Sequence, residues 1–308
     1  SGNADVYYNY DINGHKNIPT YFNSQYNSTS IGMVDLKMVK KGANIQFVGE
    51  VSAGKRSDES IGNNNHVQNL YINYSINKKW SIVCGFMSSF IGYESINPLN
   101  NFHYSTAYLF SVQPFQNNGI KLVYNPNDKL SIMIGNFNNW NYLADNITEM
   151  SDIGTEVHWT PNINTDFLFH FLEGRFTGKL FDFCSTFILN EKNNIGLNFT
   201  DFNEIGEMGA GYTGIVIYHQ YSFTKKIVLG YRLEHFINKS DKIGKYRLGV
   251  SANEHVDDFT MSLNLINKNL RFIPSFRYDI GSNNLFLDNN LKPINNTFEI
   301  SLAAVYSF

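Results

Sequence analysis

Two histidines flank a predicted turn, and their spacing is compatible with metal binding. His158 and His170 lie on either side of residues 161–165, and strand alternation places both on the same face as Glu156. Imidazole and carboxylate groups that converge in this way are common zinc ligands. Histidines on the water-exposed face of a sheet are more often ordinary polar residues than metal ligands. The sequence also has no Asp-rich loop with the ligand spacing of a calcium site. We therefore expect no metal site and no cofactor.

No recognisable catalytic motif is present. The sequence lacks G-x-S-x-G, H-E-x-x-H and a Gly-Lys-Ser/Thr phosphate loop. Residues 206–211 resemble a phosphate-binding fingerprint, but they lie in a loop between strands with no helix to follow. Cys84 and Cys184 fall on different hairpins with opposite parity, which predicts no disulfide. We predict that the chain is not an enzyme, although a triad assembled in space would leave no sequence motif.

Charged residues recur on the polar face of many predicted strands. This set comprises Asp35, Lys37, Glu50, Lys121, Glu156, Asp182, Arg232, Glu234, Arg271, Arg277 and Glu299. One interpretation is a basic ladder of Arg271, Arg277 and Arg232 that faces acidic residues across a pore and sets up a transverse field. The other interpretation is that neighbouring opposite charges form ion pairs and serve only to keep this face of the sheet hydrated. Acids and bases nearly balance, so we expect no strong ion selectivity.

The elements that position these residues are β-strands. Apolar and polar residues alternate strictly in many windows, for example 259–265 and 297–308, and helical spacing is nowhere sustained. Seven breaks are short and rich in Asn and Lys, at 40–42, 77–79, 125–129, 161–164, 190–194, 224–226 and 267–269. Eight are long, at 11–30, 55–66, 92–118, 138–152, 173–179, 203–213, 237–257 and 281–296. These connections join sixteen strands.

The composition excludes several classes of protein. The 308 residues are 15% aromatic and 17% charged, with a net charge of −3, a mean hydropathy of −0.28 and 43 Asn. Disordered chains have few aromatics and high net charge, and helical membrane proteins need apolar runs of about 18 residues, which this chain lacks. A pI of about 6.2 gives no support for nucleic-acid binding. An all-β protein remains.

Short turns at one rim and long loops at the other are typical of outer-membrane barrels. We predict an all-β fold, a transmembrane antiparallel up-and-down β-barrel of about 16 strands, as a single domain over residues 1–308. The alternatives are fourteen or eighteen strands, if residues 1–30 or 237–257 are assigned to strands and loops in another way. A barrel this wide turns its apolar face to lipid and its polar face to water. Trp80, Trp159 and Trp140 near strand ends predict aromatic girdles.

The C-terminal strand resembles the signal by which outer-membrane barrels are recognised for insertion. Tyr306 and Phe308 share one face at the end of the sequence. The predicted partners are therefore outer-membrane lipid and the barrel-assembly machinery, with other outer-membrane proteins or a homo-oligomer as open alternatives and no nucleic acid. The sequence given begins without a signal peptide, and we expect it to be the mature chain.

The loop 92–118 is too aromatic for a merely exposed connection. Its candidate constriction residues are Phe102, His103, Tyr104, Tyr108, Phe110 and Phe115. We expect the loop to fold inward and narrow the channel. Packing on the outer rim or on a partner is the alternative.

Residues 85–141 contain a series of more specific motifs. In order they read Ile91-Gly92-Tyr93-Glu94, Asn101-Phe102-His103-Tyr104-Ser105, Leu109-Phe110, Pro114-Phe115 and Asn139-Trp140. This stretch resembles the OmpL-like family of Gram-negative porins, also described as putative beta-barrel porin-2. The chain departs from the family at Ser105-Thr106-Ala107, where the family has S-R-S, and at Asn117-Asn118-Gly119, where it has H-T-G. The resemblance implies an outer-membrane location and passive transport, with altered selectivity if the missing Arg sets a constriction.

We therefore expect an outer-membrane porin that allows passive diffusion of small hydrophilic solutes. The alternative is a non-conducting or plugged barrel that serves as an accessory or structural subunit of a larger outer-membrane complex.

Overall fold

Strands make up most of the chain. The structure, a computed structural model, describes residues 1–61, 66–138, 149–175, 177–205, 210–239 and 248–308. Within these ranges, sixteen strands close one antiparallel barrel. They are β1 (Gly2–Asp11), β2 (Thr29–Lys41), β3 (Ile45–Ala53), β4 (Val67–Ser75), β5 (Trp80–Ser88), β6 (Gln116–Asn127), β7 (Leu130–Asn138), β8 (Met150–Asn162), β9 (Thr165–Gly174), β10 (Gly178–Asn190), β11 (Asn193–Glu204), β12 (Gly211–Thr224), β13 (Ile227–Asn238), β14 (Glu254–Asn267), β15 (Leu270–Gly281) and β18 (Asn296–Ser307).

The barrel closes between its first and last strands. Asn3 of β1 pairs with Ser307 of β18, and every other barrel strand pairs with its sequence neighbours. In hydrocarbon an unpaired backbone group costs several kcal/mol, so a closed sheet is the form in which strands can cross a bilayer. The predicted fold class and the sixteen strands are confirmed, and the alternatives of fourteen and eighteen are wrong.

The two faces of the wall differ as the alternation predicts. In β12, Ile215 and Ile217 are exposed to the outside, whereas Val216 and Tyr218 between and beyond them are buried. Trp80 and Trp159 are also exposed near the short turns, as expected of a girdle. Trp140 lies outside the described residues.

Shorter elements lie in the long connections. Helix α1 (Lys55–Ile61) follows β3, a 3-10 helix (Pro98–Asn100) and helix α2 (Tyr108–Val112) lie between β5 and β6, and a small hairpin of β16 (Phe286–Leu287) and β17 (Pro293–Ile294) precedes β18. In the part of the chain that the structure describes, no helix is both long enough and apolar enough to cross a membrane.

Candidate functional site

The connection between β5 and β6 lies inside the barrel. We call these residues, 89–115, the inner loop. Near its start, the backbone N–H of Gly92 donates to Asp182 of β10 at 3.1 Å. Further along, the hydroxyl of Tyr108 donates to Asp279 of β15 at 2.8 Å. These two strands lie five positions apart around the barrel, so the inner loop crosses the interior from one wall to another.

The wall formed by β13, β14 and β15 carries a cluster of buried ion pairs. The guanidinium of Arg232 lies 2.6 Å from Asp258, and that of Arg277 lies 2.8 Å from Asp279 and 3.4 Å from Asp258. All four side chains are almost fully buried. Removing such ions from water costs several kcal/mol each, and the cost is offset only where the charges are well paired. The shared carboxylate of Asp258 provides that pairing for both arginines.

The same arginines hold the inner loop. Arg232 donates to the carbonyl of Ser105 at 2.7 Å and pairs with Glu94 at 3.1 Å. Arg277 donates to the carbonyl of Thr106 at 2.9 Å. Hydrogen bonds from charged donors are about twice as strong as neutral ones. The segment that lacks the family's Arg is therefore bound by two arginines from the wall.

Two glutamate side chains cap the N-terminus of helix α2. Glu234 of β13 accepts the backbone N–H groups of Tyr108 at 2.8 Å and Leu109 at 2.7 Å. Glu94 accepts the N–H of Ala107 at 2.9 Å. The first amides of a helix have no partner within the helix, and a carboxylate there satisfies them. This short helix is consequently fixed to β13 rather than free in the lumen.

On a second part of the wall, at β10, Asp182 binds both ends of the inner loop. Besides Gly92 at the start, it accepts from the side chain of Gln113 near the end, at 3.0 Å. His170 and Asn198 on the neighbouring strands donate to it at 2.8 and 2.6 Å. One carboxylate therefore closes the inner loop into a ring against β10.

Arg56 of α1 supports the loop from a third direction. Its guanidinium lies over the rings of Phe22 and Tyr104, 5.3 and 4.8 Å from their centroids. It donates to the carbonyl oxygens of Ile96 at 3.0 Å and Tyr104 at 2.9 Å. A cation between two aromatic faces is stabilised by their quadrupoles.

The inner loop also contains a neutral imidazole. His103 lies in the loop, not in a spanning strand, and its Nδ1 is 2.8 Å from the hydroxyl of Ser262. Burial, reinforced by the nearby Arg232, lowers the pKa of His103 to about 3. The side chain therefore adds no charge to the interior at neutral pH.

An apolar cluster fills the half of the barrel next to the long connections. Inward residues at those strand ends, such as Phe202, Tyr212 and Phe236, join loop residues such as Phe22 and Phe110. The rings contact one another with centroids 5.1 to 6.0 Å apart. Burial of this kind stabilises the inserted loops by about 25 cal/mol per Å² of apolar surface. Among the described residues, this half of the lumen is largely filled.

Two polar cavities lie on the other side of the inner loop, towards the short turns. The first, of about 290 Å³, is lined by residues that include Asp35, Lys37 and Glu50. The second, of about 300 Å³, is lined by residues that include Thr186 and Gln220, each four positions from a short turn. Polar, concave space therefore remains around the loop in this half of the barrel.

All the charged residues predicted to line the pore lie on the inner side of the wall. They are Asp35, Lys37, Glu50, Lys121, Glu156, Asp182, Arg232, Glu234, Arg271, Arg277 and Glu299. The six candidate constriction residues, Phe102, His103, Tyr104, Tyr108, Phe110 and Phe115, lie within the inner loop, inside the barrel. Tyr306 and Phe308 lie on the outer face, and their rings stack at 6.3 Å.

The structure favours paired charges over a basic ladder. Arg232 and Arg277 are neutralised by carboxylates on their own wall, while Arg271 stands apart and donates to the carbonyl of Pro98. Sequence reasoning missed Asp258 and Asp279, although both share the inward parity of the arginines beside them. Extending the alternation to the strand ends would have found them.

The two predicted histidines have separate partners. His158 lies 2.6 Å from Asp166, whereas His170 lies between Asp182 and Glu156. The ligand atoms of His170, Asp182 and Cys184 lie within 4.8 Å of one another, and this nitrogen, oxygen and sulfur set suits zinc. Asp182 already accepts hydrogen bonds from both ends of the inner loop, so its carboxylate has a structural role.

The fingerprint-like segment at 206–209 and the Asn139-Trp140 motif lie outside the described residues.

Comparison with known proteins gives one family. The model of the family described as putative beta-barrel porin-2, OmpL-like, matches residues 1–308. No curated protein matches.

Several solved structures share the fold. In-vitro folded OmpT, an outer membrane protein of Vibrio cholerae, is 10% identical with a TM-score of 0.67, over 100% of this chain and 96% of its own. An anion-selective porin from Comamonas acidovorans is 10% identical with a TM-score of 0.65, over 100% and 98%. A mutant porin of Rh. blastica is 10% identical with a TM-score of 0.56, over 100% and 99%.

Proposed function

Given that the chain belongs to the OmpL-like family of beta-barrel porins, and so is a porin-like protein of the outer membrane, we propose that it allows passive diffusion of small hydrophilic solutes. The observation that carries this proposal is the polar inner wall, which continues into two polar cavities beside the inner loop. A wall of carboxylates, amides and hydroxyls replaces part of the water around a polar solute as it passes. The route runs past the inner loop, which acts as the constriction.

The same lumen supports a second candidate, a plugged barrel with an accessory or structural role. The specific observation is the apolar cluster that fills the half of the barrel next to the long connections. Polar solutes cross apolar contacts poorly, because they lose water without gaining hydrogen bonds. In that case the inner loop closes the barrel, and its ion pairs keep it closed.

Planar-bilayer recordings separate the two candidates. For diffusion we expect ohmic single-channel currents from the purified wild-type barrel, and larger currents after deletion of residues 99–113, which removes the centre of the inner loop. For the plugged barrel we expect no wild-type current and open channels only after the deletion. Deleting residues 288–292, the turn of the small β16–β17 hairpin, which we call the outer hairpin, is the control, with currents expected to equal the wild type. Unchanged conductance after the 99–113 deletion would overturn the role of the loop as constriction.

We also propose that the protein has no catalytic role, in keeping with the use of the buried carboxylates of Asp182 and Glu234 to bind the inner loop. Its proposed partners are outer-membrane lipid and the assembly machinery that reads Tyr306 and Phe308. Other outer-membrane proteins, or further copies of this chain, are proposed only for the plugged barrel.

A further inference from the structure

Half of the lysines in the chain lie in the short turns. The chain has 18 lysines, and nine of them occupy six of the seven short turns. We call them the turn lysines, and they are Lys40, Lys41, Lys78, Lys79, Lys129, Lys192, Lys225, Lys226 and Lys268. All nine are exposed. The same turns carry only two acidic residues, Asp128 and Glu191, so this rim has a strong positive charge.

The opposite rim differs in its charge balance. In the described residues of the long connections, seven cations face eleven acids: Lys16, Lys55, Arg56, Arg175, Lys179, Lys239 and Lys292 against Asp11, Asp58, Glu59, Glu94, Glu149, Asp152, Glu173, Glu204, Glu254, Asp257 and Asp288. Several of these cations are paired, as Lys55 is with Glu59 and Arg175 with Glu149. Among the ion pairs of the described residues, none includes a turn lysine. The asymmetry therefore reflects free positive charge at one rim.

The turn lysines lie next to an outer belt of aromatic rings. Trp80, directly after Lys79, stacks on Tyr124 with centroids 4.2 Å apart. Phe223, two residues before Lys225, is 54% exposed on the outer face. Aromatic belts mark the depth of the lipid headgroups, and a lysine beyond the belt can extend its ammonium to that level.

We propose that the turn lysines form a binding surface for anionic phospholipid headgroups in the leaflet at the short-turn rim, which in outer-membrane barrels is the periplasmic one. Anionic lipids attract basic residues close to a membrane surface. The lysines are distributed around the circumference, as annular lipid is, whereas a single protein partner would contact one side. The surface is independent of whether the barrel conducts.

Electron spin resonance of spin-labelled lipids tests this surface. The purified barrel is placed in phosphatidylcholine vesicles that contain labelled phosphatidylglycerol or labelled phosphatidylcholine, and the ratio of their association constants is measured. We expect a ratio above one that falls towards one in 1 M NaCl, because salt screens exposed charges. Replacing four turn lysines together (Lys78→Gln, Lys79→Gln, Lys225→Gln, Lys226→Gln) should lower the ratio about fivefold or abolish the preference.

Two controls accompany this variant. Lysine-to-arginine replacement at the same four positions keeps the charge and should keep the ratio. A set of equal charge change at the other rim (Lys55→Gln, Arg175→Gln, Lys179→Gln, Lys292→Gln) should leave it unchanged. A wild-type ratio of one, or an equal loss in both glutamine sets, would overturn the proposal. So would a turn-lysine variant that alters ion selectivity in bilayers while the lipid ratio stays the same, since the lysines would then act on the pore.

Discussion

A single buried carboxylate does much to position the inner loop. Asp182 accepts hydrogen bonds from Gly92 and Gln113, 21 positions apart along the chain, and from His170 and Asn198 on adjacent strands. An ionised carboxylate is an acceptor only, with room for about four hydrogen bonds. Any neutral replacement leaves some of these buried donors without a partner.

We expect Asp182→Asn to destabilise the barrel by about 3 kcal/mol, because one accepting oxygen becomes an amide nitrogen, which is itself a donor and leaves buried donors without a partner. Urea unfolding in lipid vesicles, followed by tryptophan fluorescence, measures this loss. The matched control is Asp166→Asn, which removes a carboxylate bound to His158 and Thr160 but not to the inner loop. It should cost less than about 1 kcal/mol. Equal losses in the two variants would contradict a special role for Asp182.

At the scale of elements, the inner loop behaves as part of the wall. It has little regular structure of its own, yet its amides and carbonyls are bonded to side chains of β10, β13 and β15. Inward glycines leave room for it: a Cβ added at Gly196 would lie 2.3 Å from the Tyr93 hydroxyl, and one at Gly230 would lie 2.1 Å from the Phe102 ring. Stability of a segment follows from such contacts rather than from its secondary structure.

Hydrogen exchange should therefore be slow across α2. We expect amides of Tyr108 and Leu109, held by Glu234, to exchange far more slowly than those of the outer hairpin at 288–295. Glu234→Gln should speed exchange at α2 by about 10-fold or more, because each oxygen of Glu234 accepts one amide and the Gln NH2 leaves one of the two buried amides unpaired, which costs about 1–3 kcal/mol. Mass spectrometry of peptides covering 106–113 measures it, with Glu173→Gln at the exposed rim as control. Fast exchange at α2 in the wild type would show that the inner loop opens readily.

At the scale of the whole molecule, the low charge and high aromatic content of the chain follow from its two faces. Phe, Ile and Leu cover the outer wall, while Asn, Ser, Thr and paired charges occupy the inner wall, the turns and the loops. The average hydropathy of −0.28 is the mean of these two surfaces. A single buried core would have required the reverse arrangement, with the polar face outside.

A lysine on the outer wall should therefore cost most at the middle of the bilayer. We expect Ile217→Lys, in the middle of β12, to destabilise the barrel by about 2–4 kcal/mol, and Ile163→Lys, in a short turn, by about 0–1 kcal/mol. Ile217 is 43% exposed and Ile163 is 89% exposed, so exposure alone predicts the opposite order. Unfolding free energies in vesicles decide between the two. Equal costs would argue against a membrane-spanning outer wall.

The sequence by itself determined the barrel, its strand number and which side chains face inward. Each strand carries a period-two pattern and each turn its own Asn or Lys signal, and both are local properties of the chain. Alternation alone places Arg232 and Arg277 on the inner face and Tyr306 on the outer face. Because these signals repeat in every strand, a wrong assignment of one strand does not change the assignment of the others.

Only the tertiary structure decided what the inner residues contact. Arg232 meets Glu94 from 138 positions away, and Tyr108 meets Asp279 from 171 positions away. The alternation along a strand tells which face of the wall a side chain is on, but not how deep in the lumen it lies or which residue it contacts. A ladder of arginines and a set of ion pairs therefore have the same sequence pattern. Which of them forms depends on register between strands and on where the inner loop lies in the barrel. Both are set by the closed barrel as a whole, since the first and last strands must meet before the interior exists.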